Sequence, residues 1–402
     1  MNKLRQSHKF RLVCFCLIFI SLYIVFFCFG NHLFWEKATA EKGSADEQLN
    51  ENIYKLLEEL DLQALQEYVN SLENFDDESV AERLISYIKG DSFDYEDFGR
   101  ELGAVLFQDV TMVLPSFACI AAIALLSGLI SSLRSGSAGK TSADMIYLIS
   151  YIAALIPLIG VLTECFTQAA DSVNAMQKQM HLTFPLLLTL MATSGGALSV
   201  AICRPAVAFF STAIVSVITQ VVFPLTITII AFSMAGNLTK ELKIGKFSAF
   251  FKSINKWIIG ICISVFGLFF TLQGITAATY DGVVRRAAKY AIGNGIPIVG
   301  GFLSGGFDLA VAGSILIKNS LGSMSIFLMV SVLFEPLVLL IAVNLLLRFT
   351  SAITQPFGDS RISDFLEETA GNLHYCTAGL LFVAFLYFLS ILLMVSSTEA
   401  LF

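Results

Sequence analysis

Two aspartates are the first residues of this sequence whose types and placing suggest joint chemistry. Asp281 follows Tyr280, and Asp308 closes the triplet Gly306-Phe307-Asp308. The pair echoes the two carboxylates with which an intramembrane aspartyl protease shares one proton. The echo fails in detail: Phe307 stands where a glycine normally precedes the second aspartate, and Asp281 sits past a helix end beside Arg285 and Arg286. Gly139-Lys140-Thr141 resembles the end of a phosphate-binding loop, yet Arg134 occupies the place of its first glycine. The apolar segment before it, 112–133, is also too long to be the required strand. His8, His32, His181 and His374 are scattered, and no CxxC pair or HExxH is present, so zinc has no ligand set. The eight cysteines all lie in or at the edge of apolar segments and read as small buried hydrophobes. No catalytic residue, cofactor or metal is expected from these patterns.

Other ionisable groups stand inside or beside apolar segments: Glu164, Arg204, Asp308, Lys318 and Glu335. A charge at the bilayer centre costs about 2.5–3.5 kcal/mol on insertion scales, so such groups pair or face water. Asp308 and Glu335 are the candidates for a polar interior, with Lys318 as a counter-charge. Gly195, Gly196, Gly305 and Gly306 join them as pathway or packing candidates, because backbones approach closely where side chains are missing.

The elements that must hold these groups are membrane helices. Hydrophobic residues make up 56% of the 402 and charged residues only 14%, with a mean hydropathy of +0.75. A soluble domain carries about 25% charged residues. The charge is segregated as well: residues 36–109 hold 20 Asp/Glu against 6 Lys/Arg, whereas the rest of the chain holds 12 against 19. No basic run is interleaved with aromatics, so nucleic acid is not an expected partner.

At the N-terminus, Lys3, Arg5, Lys9 and Arg11 precede an apolar run from Leu12 to Gly30, and Ala38-Thr39-Ala40 offers a signal-peptidase site. Residues 1–40 are therefore a signal peptide or an uncleaved anchor, and either one sends 41–108 out of the cytoplasm. In that exported acidic region Leu49, Ile53, Leu56 and Leu60, then Leu62, Leu65, Val69 and Leu72, recur at helical spacing with a break near Asp61. A second short helix carries Val80, Leu84, Ile85 and Ile88, and a third starts near Asp94. So short a region buries little core alone, and its apolar stripes predict a helical cap docked on the membrane domain.

That membrane domain, 109–402, is all-α. Segments 112–133, 145–166, 206–235, 257–279, 321–347 and 376–398 are long and apolar enough to span. Segments 182–203 and 296–316 are rich in Gly, Pro and Ser; they either span or form broken, re-entrant helices, giving six to eight spans. Two repeats, about 145–235 and 257–347, are suggested by four correspondences: Asp171 with Asp281, Pro185 with Pro297, Ser194-Gly195-Gly196 with Ser304-Gly305-Gly306, and Pro224 with Pro336. Gly/Pro-interrupted segments at matching places of two halves point to a transporter-like pathway. Positive charge does not choose the topology: from Arg134 onward the 15 Lys/Arg split 8 to 7, or 9 to 6 if neither interrupted segment spans. Lys240, Lys243, Lys246, Lys252 and Lys256, with Phe247, Phe250, Phe251, Ile254 and Trp257 on one face, read as a helix lying on an anionic leaflet, with lipid as its partner.

The run DGVVRRAAKY from Asp281 to Tyr290, the run GIPIVGGFLS from Gly295 to Ser304, and the run IKNSLG from Ile317 to Gly322 resemble the stage III sporulation protein AE family. Phe184-Pro185 through Gly196 and the pair Glu335-Pro336 fit the same family, and the likeness covers about residues 50–398. The resemblance implies a multi-pass protein of the mother-cell membrane around the forespore. It also implies partners, the other stage III sporulation A proteins and stage II sporulation protein Q, in a secretion-like channel complex. Homo-oligomerisation is a further expectation. No functional residues are carried over from the family. The rival reading from the residues is a stand-alone secondary transporter.

Overall fold

The structure, a computed structural model, describes residues 44–72, 79–89, 95–134, 140–238, 245–295, 300–357 and 360–396. Among them every regular element is a helix. Three short ones come first, α1 (Ser44–Glu59), α2 (Gln63–Asn70) and α3 (Val80–Lys89). Long ones follow: α4 (Tyr95–Arg134), α5 (Lys140–Thr193), α6 (Ala197–Val217), a π-helical turn (Ile218–Val222), α7 (Phe223–Leu238), α8 (Gly245–Gly295), α9 (Gly300–Phe357) and α10 (Ser360–Ser396). The chain divides into two compact units, residues 1–51 and 52–402. Of the first, only the opening turns of α1 are described.

The short helices follow their apolar stripes. Ile53 and Leu57 of α1, Leu65, Tyr68 and Val69 of α2, and Val80 and Leu84 of α3 are buried. The break expected near Asp61 falls between α1 and α2. Ser79 and Glu82 start α3 with a reciprocal cap: the Ser79 hydroxyl and amide donate to Glu82 Oε2 (2.7 and 3.1 Å), and the Glu82 amide donates to Ser79 Oγ (3.2 Å). These helices are not free-standing. Leu56 and Ile53 cover Gly313 of α9, where a Cβ would meet Leu56 Cδ1 at 3.2 Å. Tyr68 reaches α5, where Gln179 Nε2 donates to its hydroxyl (3.0 Å) and Lys178 lies 5.1 Å from its ring centre. Helix α4 crosses residues 108 and 109 without a break.

The long helices set the topology. Tyr147 and Tyr151 of α5 donate to the carbonyls of Asn237 and Met234 of α7. The start of α5 and the end of α7 are therefore neighbours, and α5 with α6–α7 forms one antiparallel hairpin. Its tip is Ser194-Gly195-Gly196, where Gly195 takes φ 96°, a left-handed conformation that favours glycine. Helices α8 and α9 form the second long pair, and α10 returns along α9. The Asn344 amide donates to the Ala370 carbonyl (2.6 Å), and the Ser351 hydroxyl donates to that of Ser363 (2.9 Å). Arg361 stacks over the Tyr147 ring at 3.4 Å and Lys252 pairs with Glu368 at 2.7 Å, so both hairpins share one base.

Six described helical stretches are long and apolar enough to cross a membrane: Val110–Ile130, Met145–Thr193, Ser199–Leu238, Gly245–Thr271, Leu309–Pro356 and Arg361–Ser396. The protein is an all-α, multi-pass membrane bundle. Segment 182–203 is neither a separate span nor a re-entrant loop; it finishes α5, turns, and begins α6. With 54 residues at about 1.5 Å each, α5 is far longer than a hydrocarbon core of about 30 Å.

Two expectations change. Of the residues read as a basic helix lying in the membrane plane, Lys246, Lys252 and Lys256 are collinear with a span, because the helix α8 that carries them runs unbroken from Gly245 to Gly295. Its inner face is held upright by Phe232 stacked on Phe251 (5.4 Å), by the Asn255 amide donating to Thr226 Oγ1 (2.9 Å), and by the Lys252–Glu368 pair. The two serine-glycine-glycine turns expected to match do not: the first is the hairpin tip, whereas Gly305 and Gly306 lie within helix α9. The sequence offset of about 110 overshoots because the first hairpin reverses at 194–196, before α6, and the second reverses between Gly295 and Gly300.

Candidate functional site

Helix α5 presents one stripe to the outside, and the stripe changes character along its length. Ile149, Ile152, Ile156 and Ile159 are exposed. Beyond Gly160 the exposed residues become Thr163, Glu164, Thr167, Asp171, Asn174 and Lys178. The depth of this change is fixed by neighbours: the Gln177 amide donates to the Ser211 carbonyl, and Phe210 of α6 meets Phe266 of α8 edge-on. At about the same level α8 exposes Ile261, Ile263, Val265 and Leu268. One side of the bundle thus offers apolar surface where another offers oxygen and charge.

Two grooves flank the polar stripe. The first, about 590 Å³, runs between α5 and α7 and is lined by Thr163, Phe166, Thr167, Asp171, Thr219 and Pro224 among others. The second, about 440 Å³, lies between α5 and α6 nearer the tip, with His181 and Arg204 in its otherwise largely apolar wall. Asp171 lies beyond the end of the apolar run 145–166. Helix α5 carries on to Thr193, so this carboxylate stands on a membrane-length helix. The signal that finds it is the unbroken 3.6-residue burial pattern through Val173, Met176 and Met180, which a connector would not keep.

The sequence-nominated residues are dispersed. Glu335 is exposed on α9, facing out of the chain rather than into an interior. Lys318 is fully buried, and its ammonium donates to the Val395 carbonyl (2.7 Å) at the C-terminal turn of α10, where the free carbonyls and helix dipole favour a cation. Seventeen residues, about 25 Å of continuous helix, separate Lys318 from Glu335, so the two do not pair. The side chain of Asp308, the surroundings of Gly305 and Gly306, and Lys240 and Lys243 lie outside the described residues. Of the remaining basic candidates, Lys246 and Lys256 are exposed at the base and Lys252 is ion-paired.

The best-defined polar node joins the short helices to both hairpins. Gln179 is fully buried, and its amide donates to the Tyr68 hydroxyl and to the Leu328 carbonyl of α9 (3.1 Å). Burial pushes the Tyr68 phenol up, partly offset by the Gln179 contact. Among the described residues no three His, Cys, Asp or Glu side chains converge on a point that could hold a metal ion.

No solved structure matches this chain. Stage III sporulation protein AE of Bacillus subtilis (strain 168) is 24% identical over 329 residues, 80% of each chain. The family model described as stage III sporulation protein AE matches residues 79–398. That match takes in every long helix and the capped start of α3, and the chain belongs to the stage III sporulation protein AE family.

Proposed function

We propose that this chain is a non-enzymatic membrane component of the mother-cell-to-forespore channel complex, in which its exported helices bind partners and its hairpins line or brace the path. The observation that carries the reading is the docking of α1–α3 on the two hairpins through Leu56 on Gly313 and Tyr68 on Gln179. A partner held by the short helices is thereby coupled to membrane helices. The acidic surface supports the same reading, since Glu58, Glu59, Asp61, Glu67 and Glu82 are exposed on the outer face of these helices. Family membership places the chain in sporulation. The partners expected by resemblance are the other stage III sporulation A proteins and stage II sporulation protein Q, in the mother-cell membrane that surrounds the forespore.

The test is affinity purification of the tagged full-length chain from detergent-solubilised sporulating cells. Co-purification of other stage III sporulation A proteins is expected. Recovery of the chain alone, under conditions that retain other membrane complexes, would overturn the proposal in favour of a stand-alone transporter.

A further inference from the structure

The groove between α5 and α7 combines three features that nothing above uses together. The first is the Asp171 carboxylate, which is exposed on the groove wall and has no hydrogen-bond or ion-pair partner among the described residues. Nearby Glu164 and Gln168 are engaged with each other (3.0 Å). The second is a backbone defect on the opposite wall. In the π-helical turn the Phe223 amide bonds to the Ile218 carbonyl, five residues back. In that register the Thr219 carbonyl would take the N–H of residue 224, and residue 224 is a proline. Thr219 and Pro224 both line the groove. The third is a pair of hydroxyls, Thr163 and Thr167, on the Asp171 side.

The turn is held in place from behind. Gly379 of α10 packs so closely on it that a Cβ there would lie 3.0 Å from Phe223 and 3.1 Å from Ile218. The defect is therefore braced on one side and open to the groove on the other. A carboxylate, a carbonyl without its helical donor and two hydroxyls form an oxygen-only set between apolar walls. Such a set suits a hard cation. Its formal charge is −1, so one positive charge makes the site neutral at membrane depth, whereas a divalent ion would leave charge uncompensated.

From this geometry we infer that the α5–α7 groove binds a singly charged cation, either an alkali ion or the ammonium group of a small solute, between Asp171 and the Thr219 carbonyl. The inference does not rest on the channel complex, and its test needs no partner protein.

The full-length protein in nanodiscs is melted in sodium, potassium or methylammonium chloride, and in N-methyl-D-glucamine chloride at equal ionic strength. A ligand that binds only the folded state raises the melting temperature with its concentration. At least one of the small cations is expected to raise it by several degrees over the bulky one, and which cation acts separates an ion from an amine. Asp171→Asn should weaken the half-saturating concentration at least tenfold. Pro224→Ala should do the same by returning an N–H to the π turn, although it alters no groove oxygen. Glu164→Gln, outside the groove, should leave it unchanged. Equal melting in all four salts overturns the inference, and so does a cation shift that survives in both Asp171→Asn and Pro224→Ala. Melting of each variant in the bulky salt, compared with the parent, separates lost binding from lost folding.

Discussion

Single residues explain how charge and close packing coexist in so apolar a chain. Lys318 is tolerated at full burial because it meets the carbonyl end of α10. One turn along α9, Gly322 lets α10 approach so far that a Cβ would stand 2.5 Å from Val395 Cγ2 and 3.5 Å from Ile391 Cγ2. Gly322→Ala should therefore cost about 1–3 kcal/mol, read as a lowered melting temperature in nanodiscs. Gly371→Ala, with nothing within 4 Å of its Cβ, should be neutral or slightly stabilising. The cap of α3 predicts a pH effect. Hydrogen bonds from the Ser79 hydroxyl, then its amide, hold the Glu82 carboxyl below its usual range. A depressed carboxylate stabilises the fold above its unfolded pKa, and that contribution is lost as pH falls through the folded value. Amide protection of the first turn of α3, corrected for intrinsic exchange, should fall on acidification, and Glu82→Gln should remove that dependence.

At the scale of elements, the short helices act with the hairpins. Ile53 is 3% exposed whereas Leu60 is only half-buried, so Ile53→Asp should release the short helices and Leu60→Asp should be milder. Protease cleavage near Asn70 in the membrane fraction would read this, with the first variant cut faster at unchanged membrane insertion. Equal resistance of both variants would show that the docking does not hold these helices. The stripes of α1–α3 were legible in the sequence because each is short, periodic and bounded by polar residues. The lengths of α5 and α9 were not. Pro185, Ser194 and the glycines after it look like interruptions of one membrane segment, yet Pro185 is absorbed inside α5 and the helix ends only at Thr193, before the Ser194-Gly195-Gly196 turn. Neighbouring helices supply the packing that keeps such a helix continuous, which no local pattern records. For the same reason nothing in the apolar run 145–166 marks Asp171 as part of the same helix, and the π turn beside Pro224 leaves no trace beyond the proline itself.

Across the whole molecule, the two-hairpin arrangement resolves the balance of charge. Among the described residues Arg134, Lys140, Lys246, Lys252, Lys256, Arg348 and Arg361 lie at the shared base, seven of the 15 Lys/Arg from Arg134 onward. The positive-inside rule puts that base in the cytoplasm. The 195 tip is then expected on the opposite side with the short helices, the side that an exported cap would occupy. This placement is central, because partners can reach the hairpins through the cap only if the two share a side. The direct test is labelling with a membrane-impermeant thiol reagent in intact cells, in a chain whose eight native cysteines are replaced. Tyr54→Cys in α1 and Ala192→Cys at the tip are expected to react from outside, and Lys246→Cys at the base only after permeabilisation. Reaction of Ala192→Cys only after permeabilisation, with Tyr54→Cys labelled from outside, would contradict the account.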